Sequence, residues 1–226
     1  MITLRGVTWA PDGHRVLDSF DLSVELGRIT AIGGPSGCGK SSLLRLLAGL
    51  RPPDAGVVTG VPARKAFVFQ DAALLPWLTL RDNVALPGRF GPIGDVTEAL
   101  ARVGLADHAH KLPAALSGGQ RMRGSLARAL VARPELVLLD EAFAALDGLT
   151  RASVQREFLA LQAEHAWTVV MVTHELVDAV RLSDRVIAVG GPPLVVKADL
   201  AVPFPRPRDP AAIPPLVAAL EAVYAA

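Results

Sequence analysis

Cysteine is almost absent from this sequence: Cys38 is the one cysteine in 226 residues, so no disulfide can form within the chain. Long apolar runs are absent as well. Hydrophobic residues make up 51% of the chain, but stretches such as residues 136–139 and 168–173 stop at polar residues. They are far shorter than the roughly 18 to 20 residues that cross a bilayer. The first residues also lack the basic and then apolar pattern of a secretory signal, so we expect a protein of the reducing cytosol without a membrane span.

An excess of charge of one sign is also lacking. The chain has 23 Lys and Arg residues against 22 Asp and Glu residues, a formal net charge of +1. Proteins that bind nucleic acid through its phosphates usually carry a basic excess, so the balance argues against a nucleic-acid partner. The length suits one ample hydrophobic core, and we expect a single domain over residues 1–226.

Short β-branched runs alternate with helical patterns along most of the chain. This rhythm is typical of an α/β fold around a buried, largely parallel sheet. The predicted strands are residues 28–33, 66–69, 136–139, 168–173 and 186–189.

Three segments around this core have a different character. Residues 2–26 are rich in strand formers with turn residues at 11–13, which predicts a small antiparallel β layer before the core. Residues 78–133 are mainly helical, with an interruption at 87–94, and predict a helical lobe. Residues 203–226 begin with a proline-rich stretch that includes Pro207, and we expect an extended strap followed by a short helix.

A glycine-rich segment follows the apolar run 29–32 and precedes a helical pattern. It consists of Gly34, Pro35, Ser36, Gly37, Cys38, Gly39, Lys40, Ser41 and Ser42. Between a strand and a helix, this G-x-x-x-x-G-K-S pattern is typical of a phosphate-binding loop, in which backbone N–H groups and the helix N-terminus face an anion. We predict that Lys40 holds the β- and γ-phosphates of a nucleotide and that Ser41 binds Mg²⁺. The alternative is a glycine-rich turn that carries Lys and Ser by coincidence.

Polar side chains end three of the predicted strands. Asp140 and Glu141 follow the run 136–139, and we predict Asp140 as a Mg²⁺ partner and Glu141 as the base for an attacking water. Gln70 follows the run 66–69 and is a candidate for contact with the metal and the water. His174 follows the run 168–173 and is a candidate for contact with the γ-phosphate. Gln70 could instead be an ordinary loop residue. His174 could be an ordinary loop residue or a hydrogen-bonded structural histidine.

The signature segment, residues 116–120, reads Leu-Ser-Gly-Gly-Gln before a helical pattern. Ser117 and Gln120 have the spacing of a capping box, a purely structural role. Capping does not explain Gly118 and Gly119, because consecutive glycines weaken a helix. They are better explained by the close approach of an anion to the helix N-terminus.

Taken in order, these motifs resemble the nucleotide-binding subunit of ATP-binding cassette (ABC) transporters over nearly the full chain. The resemblance implies a P-loop NTPase of the ABC cassette type with an N-terminal antiparallel β layer, a parallel-sheet core and a helical lobe. It implies ATP and Mg²⁺ as ligands. It also implies a dimer, expected to be a homodimer, in which Ser117 and Gly119 of one subunit cover the ATP of the other. Asp147 resembles the family's aspartate loop, although it could also be a helix N-cap.

The resemblance also implies partners at the cytoplasmic face of the membrane. In this family the segment matching residues 71–84 docks on a transmembrane permease, so Trp77 and Leu75 could face that partner or fill the helical lobe. Residues 74–86 and 203–209 are similar to the importer subfamily for nitrate, aliphatic sulfonates and taurine, whose members also serve some pyrimidine vitamin precursors. Residues 7–9 are similar to thiamine-type importers, the main alternative. In such systems the permease and an extracytoplasmic solute-binding protein recognise the solute.

One of the departures from the family pattern concerns adenine binding. Members usually stack adenine on an aromatic residue in the early β layer, and Pro11 occupies that position here. Adenine binding would then depend on Trp9, on His14 or on weaker apolar contacts. Three other classes stay open: a soluble ABC ATPase without a permease, a small-molecule kinase and a regulatory nucleotide-binding protein. The paired carboxylates disfavour the kinase, which must exclude water.

Overall fold

The computed structural model describes residues 1–206 and 208–225. Pro207 and Ala226, which belong to the predicted strap and terminal helix, lie outside the described residues. The chain divides into two compact units. The first unit comprises Met1–Pro62 and the chain from Trp167 onward, and the second unit comprises Ala63–Ala166.

Strands and helices alternate through most of the described chain. The strands are β1 (Ile2–Trp9), β2 (Leu17–Val24), β3 (Ile29–Gly33), β4 (Ala55–Thr59), β5 (Lys65–Val68), β6 (Leu136–Asp140), β7 (Thr168–Thr173), β8 (Arg185–Gly190) and β9 (Val195–Ala201). The helices are α1 (Lys40–Ala48), α2 (Leu80–Ala85), α3 (Val96–Arg102), α4 (Gly118–Val131), α5 (Gly148–His165), α6 (Leu176–Leu182) and α7 (Ile213–Ala225).

The first unit contains the antiparallel layer that the sequence predicts. Its strand order is β2-β1-β4, and β1 pairs with β2 so that Ile2 faces Val24 and Leu4 faces Leu22. These four side chains are buried, because alternate residues of a strand point to the same face. Gly6, with φ +56°, lies where the pairing shifts register between Leu4 and Val7.

The same unit also holds a mixed sheet. Here β3 lies between β7 and β8 and is parallel to both, and β9 adds an antiparallel edge to β8. All residues of β3 and β7 are buried, as expected for central strands covered on both faces. Gly33 and Thr173 are paired in the register, so the chain leaves β3 and β7 at the same edge of the sheet.

The second unit combines a pair of parallel strands with helices. Val68 of β5 is in register with Leu139 of β6. Helices α2, α3 and α5 each pack against α4. Gly124 permits the close contact of α2 with α4, because a Cβ at this position would lie 2.6 Å from Cδ1 of Leu80.

Several boundaries differ from the expectation. Strands β4 and β9 were not predicted, and most of their residues are exposed, so they lack the continuous apolar pattern of a buried strand. The helical lobe also has a second interruption, after α3, that was not predicted. Residues 103–117 contain only two short 3₁₀ turns, Ala106–His108 and Pro113–Ala115, in place of a helix. Among the described residues, the helices are too short or too polar to cross a bilayer.

Candidate functional site

The phosphate loop, residues 34–42, joins β3 to α1 in the first unit. Gly37 and Gly39 have φ angles of +82° and +109°, a region that favours glycine. A Cβ on Gly34 would lie 2.5 Å from the backbone oxygen of Val189. These glycines therefore allow a tight loop whose backbone can approach a ligand closely.

Lys40 lies inside this loop. Its side chain is buried, with 4% of the residue exposed, and Nζ donates hydrogen bonds of 2.7 Å to the carbonyl oxygens of Gly34 and Pro35. A lysine ammonium has three donors, so one remains after these two bonds. The neighbouring residues Pro35, Ser36 and Gly37 are exposed. The loop therefore holds a positive charge beside backbone that is open to solvent.

His174 follows β7 directly and lies near the phosphate loop within the first unit. The amide N–H of Gly34 donates to the carbonyl oxygen of Thr173, at 3.4 Å, so the end of β7 contacts the start of the loop. The hydroxyl of Thr173 accepts the N–H of Glu175 and shapes the turn that carries His174. The His174 side chain is 42% exposed, which leaves it accessible to a ligand.

In the second unit, Asp140 ends β6 and Glu141 follows it. Because β5 and β6 are parallel and in register, Gln70 lies at the same edge of this strand pair as the two carboxylates. Glu141 has a φ of +47°, a left-handed conformation that is costly for a residue with a side chain. Such backbone is often found at functional positions, but four other described residues with side chains share it, so the role of Glu141 as a base stays a prediction.

The signature segment forms the N-terminus of α4, and the predicted capping box is confirmed. The Ser117 hydroxyl accepts the N–H of Gln120 at 3.2 Å, and Oε1 of Gln120 accepts the N–H of Ser117 at 2.9 Å. Ser117 and Gly118 are exposed. Gln70 and Gly118 line one pocket of about 350 Å³, so the second unit brings the glutamine and the signature segment together.

Gly119 is constrained by a neighbour that sequence spacing does not indicate. A Cβ on Gly119 would lie 2.3 Å from the Cγ2 methyl of Thr150 in α5. Asp147 caps α5, and its Oδ1 accepts the N–H of Thr150 at 3.1 Å. Hydrogen bonds from the side chain and backbone of Thr150 lower the pKa of Asp147. The prediction that Asp147 is a helix N-cap is confirmed. Its membership of the family's aspartate loop stays a prediction.

The residues considered for adenine binding occupy different environments. Trp9, on β1, is only 5% exposed, so its ring is buried in the core. The prediction that Trp9 stacks on adenine is therefore wrong. His14 is exposed and Pro11 is half-buried. Val16 lies against the phosphate loop, since a Cβ on Gly39 would be 2.6 Å from its Cγ1. Of the alternatives, an apolar contact or His14 is compatible with the structure.

Trp77 does not fill the core of the helical lobe. The residue is 71% exposed, so this alternative is wrong for Trp77, whereas Leu75 is half-buried. The loop that carries both is held by Asn83, a fully buried residue that sequence reasoning missed. Its Oδ1 accepts the N–H of Leu75 at 2.7 Å, and its Nδ2 lies 3.0 to 3.1 Å from the carbonyl oxygens of Leu75, Leu78 and Thr79.

Ser41 and Asp140, each within its own unit, carry the kind of oxygen that Mg²⁺ binds when it arrives with a nucleotide. Among the described residues, no cluster of three or more His, Cys, Asp or Glu side chains could form a dedicated metal site. Mg²⁺ commonly takes one or two protein oxygens together with phosphate oxygens and waters. The Ser41 hydroxyl in the first turn of α1 and the Asp140 carboxylate are donors of this hard oxygen type.

Comparison with curated proteins identifies close relatives. The aliphatic sulfonates import ATP-binding protein SsuB 2 of Pseudomonas aeruginosa (strain UCBPP-PA14) is 46% identical over 215 residues, which cover 92% of this chain and 78% of that protein. The aliphatic sulfonates import ATP-binding protein SsuB 1 of Xanthomonas axonopodis pv. citri (strain 306) is 44% identical over 210 residues. That match covers 87% of this chain and 83% of the relative.

Solved structures agree with this relationship. The dimeric structure of MJ0796, described as a bacterial ABC transporter cassette, aligns with a TM-score of 0.76 at 30% identity, covering 89% of this chain and 99% of that one. A second MJ0796 structure, a dimeric post-hydrolysis state bound to ADP and Pi, has the same TM-score at 29% identity and the same coverage. A family model described as ABC transporter matches residues 17–144. On these grounds, the chain belongs to the ABC transporter family and carries its ATP-binding cassette.

Proposed function

We propose that this chain hydrolyses ATP and uses the resulting conformational change to drive import of a solute of the nitrate, sulfonate and taurine class. The observation that carries the ATP part is Lys40, whose buried ammonium lies against the carbonyls of a glycine-rich loop. An ammonium in that position is suited to bind the β- and γ-phosphates of a nucleotide. The import part is supported by the names of the relatives, which are aliphatic sulfonates import ATP-binding proteins.

In this proposal each polar residue has one chemical task. Lys40 and the backbone N–H groups of residues 34–42 bind the triphosphate. Ser41 and Asp140, with Gln70, would hold Mg²⁺, which would neutralise charge at the phosphates. Glu141 accepts a proton from the water whose oxygen bonds to the γ-phosphorus, while the bond from that phosphorus to the bridging oxygen breaks. His174 donates a hydrogen bond to the γ-phosphate.

The working form is proposed to be a head-to-tail homodimer with shared ATP sites. Ser117 and Gly118 are exposed at the N-terminus of α4, a helix of 14 residues, where backbone N–H groups and the helix dipole favour an anion. Solved relatives with the same fold are dimeric. We infer that Ser117 and Gly119 of one subunit contact the γ-phosphate bound to the other, so that hydrolysis loosens the dimer.

The second unit exposes two aromatic side chains that suit a permease partner. Trp77 is 71% exposed and Phe90 is 92% exposed, and large aromatic side chains are enriched in protein interfaces. Phe90 lines a groove of about 570 Å³ together with Phe67, Pro87 and Ile93. We propose that a permease docks here, at the cytoplasmic face of the membrane, and that an extracytoplasmic solute-binding protein delivers the solute.

The permease proposal can be tested by purification from membranes. We would purify tagged wild-type chain and the Trp77→Glu variant from native membranes and identify the retained proteins by mass spectrometry. We expect a multi-span permease with the wild type and its loss with Trp77→Glu, while ATP hydrolysis by the free chain is unchanged. If only soluble proteins are retained and ATP hydrolysis is intact, the chain would be a soluble ABC ATPase and not a transporter subunit.

The solute class requires a second measurement on the same complex. The purified complex and its solute-binding protein would be reconstituted in proteoliposomes and supplied with ethanesulfonate, nitrate or thiamine. We expect ethanesulfonate to stimulate ATP hydrolysis most strongly. Stimulation by thiamine alone would support the thiamine-type alternative and exclude the sulfonate assignment.

A further inference from the structure

Gln120 connects the signature segment to a histidine in the preceding loop. Its Oε1 accepts the N–H of Ser117, and its Nε2 lies 3.0 Å from Nε2 of His108. A backbone N–H can only donate a hydrogen bond, so the orientation of the Gln120 amide is set by Ser117. The amide nitrogen of Gln120 must therefore be the group that faces His108.

This orientation determines the state of the histidine ring. An amide NH₂ group can only donate, so Nε2 of His108 must accept, and the ring must be neutral with its hydrogen on Nδ1. Within the described part of the chain, Nδ1 of His108 is buried and has no hydrogen-bond partner. The contact with Gln120 is therefore the one hydrogen bond that this ring makes among the described residues.

We propose that His108 is a positioning residue for the signature segment. By accepting from Gln120, it keeps that side chain in the capping box and so keeps Ser117 oriented toward the space in front of α4. This inference rests on the proposed role of Ser117 at the partner's ATP. Without His108, the half-buried Gln120 is released toward solvent, and the N–H of Ser117 loses its partner.

Two variants separate the hydrogen bond from the packing of the ring. His108→Leu fills similar space without an acceptor, whereas His108→Gln places an amide oxygen where Nε2 of the histidine lies. We expect His108→Leu to lower the kcat of ATP hydrolysis about 5- to 10-fold, the range for loss of one buried hydrogen bond. Nucleotide affinity of the isolated chain, which depends on Lys40, should stay within about 2-fold. His108→Gln should restore kcat to within about 2-fold of the wild type.

Two kinetic results would overturn the inference. One is an unchanged kcat in His108→Leu. The other is an equal loss in both variants when thermal unfolding shows both to be folded, because the ring would then act through its packing alone.

A spectroscopic measurement tests the contact independently of hydrolysis. The chain has five histidines, so ¹⁵N-labelled imidazole rings can be assigned by removing one histidine at a time. We expect His108 to be the Nδ1–H tautomer at neutral pH and its Nε2 shift to change in Gln120→Leu. An Nε2–H tautomer would overturn the inference. If the tautomer is as expected but the wild type hydrolyses no ATP, the proposed function fails and the positioning contact stands.

Discussion

The hydroxyl of Tyr224 donates a hydrogen bond to the backbone oxygen of Gly33, with 2.5 Å between the two oxygens. Gly33 is the last residue of β3 and directly precedes the phosphate loop. Tyr224 is the one tyrosine in the chain and lies near the end of α7. The terminal helix is therefore tied to the backbone from which the nucleotide loop begins.

We expect Tyr224→Phe to weaken both folding and nucleotide binding. Loss of this hydrogen bond should lower the free energy of unfolding by about 1 kcal/mol. ATP affinity should fall a few-fold, because the start of the phosphate loop loses a contact. Urea unfolding and nucleotide titration measure the two effects, with Glu221→Gln, at an exposed position of the same helix, as the control. Wild-type values in Tyr224→Phe would show that the contact is dispensable.

Tyr224 should also make stability fall at alkaline pH. Burial is the main cause that raises the pKa of the Tyr224 hydroxyl, and the nearby Cys38 adds to it. Below about pH 10 the hydroxyl is protonated in both states. Above that pH the unfolded state loses its proton first, so stability declines as pH rises toward the raised pKa of the folded state. Denaturation between pH 8 and 11 should show this decline in the wild type and a smaller one in Tyr224→Phe.

The Gly119 and Thr150 contact allows packing and anion binding to be distinguished. Gly119→Ala should cost about 1 to 3 kcal/mol of stability, because its Cβ meets the Thr150 methyl. Thr150→Ser removes that methyl and keeps the hydroxyl, so Gly119→Ala/Thr150→Ser should regain most of the stability. We expect hydrolysis to recover together with stability, because the added Cβ points at Thr150 and not at the space in front of α4. Hydrolysis that stays low while stability recovers would show that a glycine is needed here for the anion as well as for packing.

Glu141→Gln should abolish most of the hydrolysis and leave ATP binding intact. Loss of a general base typically lowers the rate about 10²- to 10⁴-fold. The variant should accumulate as ATP-bound dimers, which size-exclusion chromatography with ATP detects. Glu135→Gln is the matched control, because Glu135 precedes the same strand but forms an exposed ion pair with Arg64. Unchanged turnover in Glu141→Gln would show that Glu141 is not the general base.

Ser117→Arg should stop hydrolysis without preventing nucleotide binding. Ser117 is exposed in front of α4, so a large side chain there would obstruct the partner's ATP and not the chain's own phosphate loop. Ala114→Arg, at an exposed position three residues earlier, is the control. Fluorescent nucleotide binding and phosphate release measure the two activities. Loss of binding in Ser117→Arg alone would contradict the shared-site arrangement.

Much of the candidate site could be predicted because its residues are local. The phosphate loop, the Asp140–Glu141 pair and the capping box each occupy a few consecutive residues whose backbone preferences and chemistry appear together in the sequence. Buried strands such as β3 and β7 were also predictable, since continuous apolar runs of this length are typical of a covered parallel sheet. The exposed strands β4 and β9 carry no such signal and were missed.

The amino-acid sequence was sufficient to predict the family, the α/β class, and the order and identity of the phosphate, carboxylate and signature motifs. The folded structure was needed to show which distant residues support those motifs: Tyr224 at Gly33, 191 positions away, Thr150 at Gly119, His108 at Gln120 and Asn83 at the Trp77 loop. It also decided that Trp9 is buried and Trp77 is exposed. The reason is physical. A buried face leaves an apolar pattern along the chain, but the pairing of one side chain with a distant one depends on how separate elements pack and leaves no pattern.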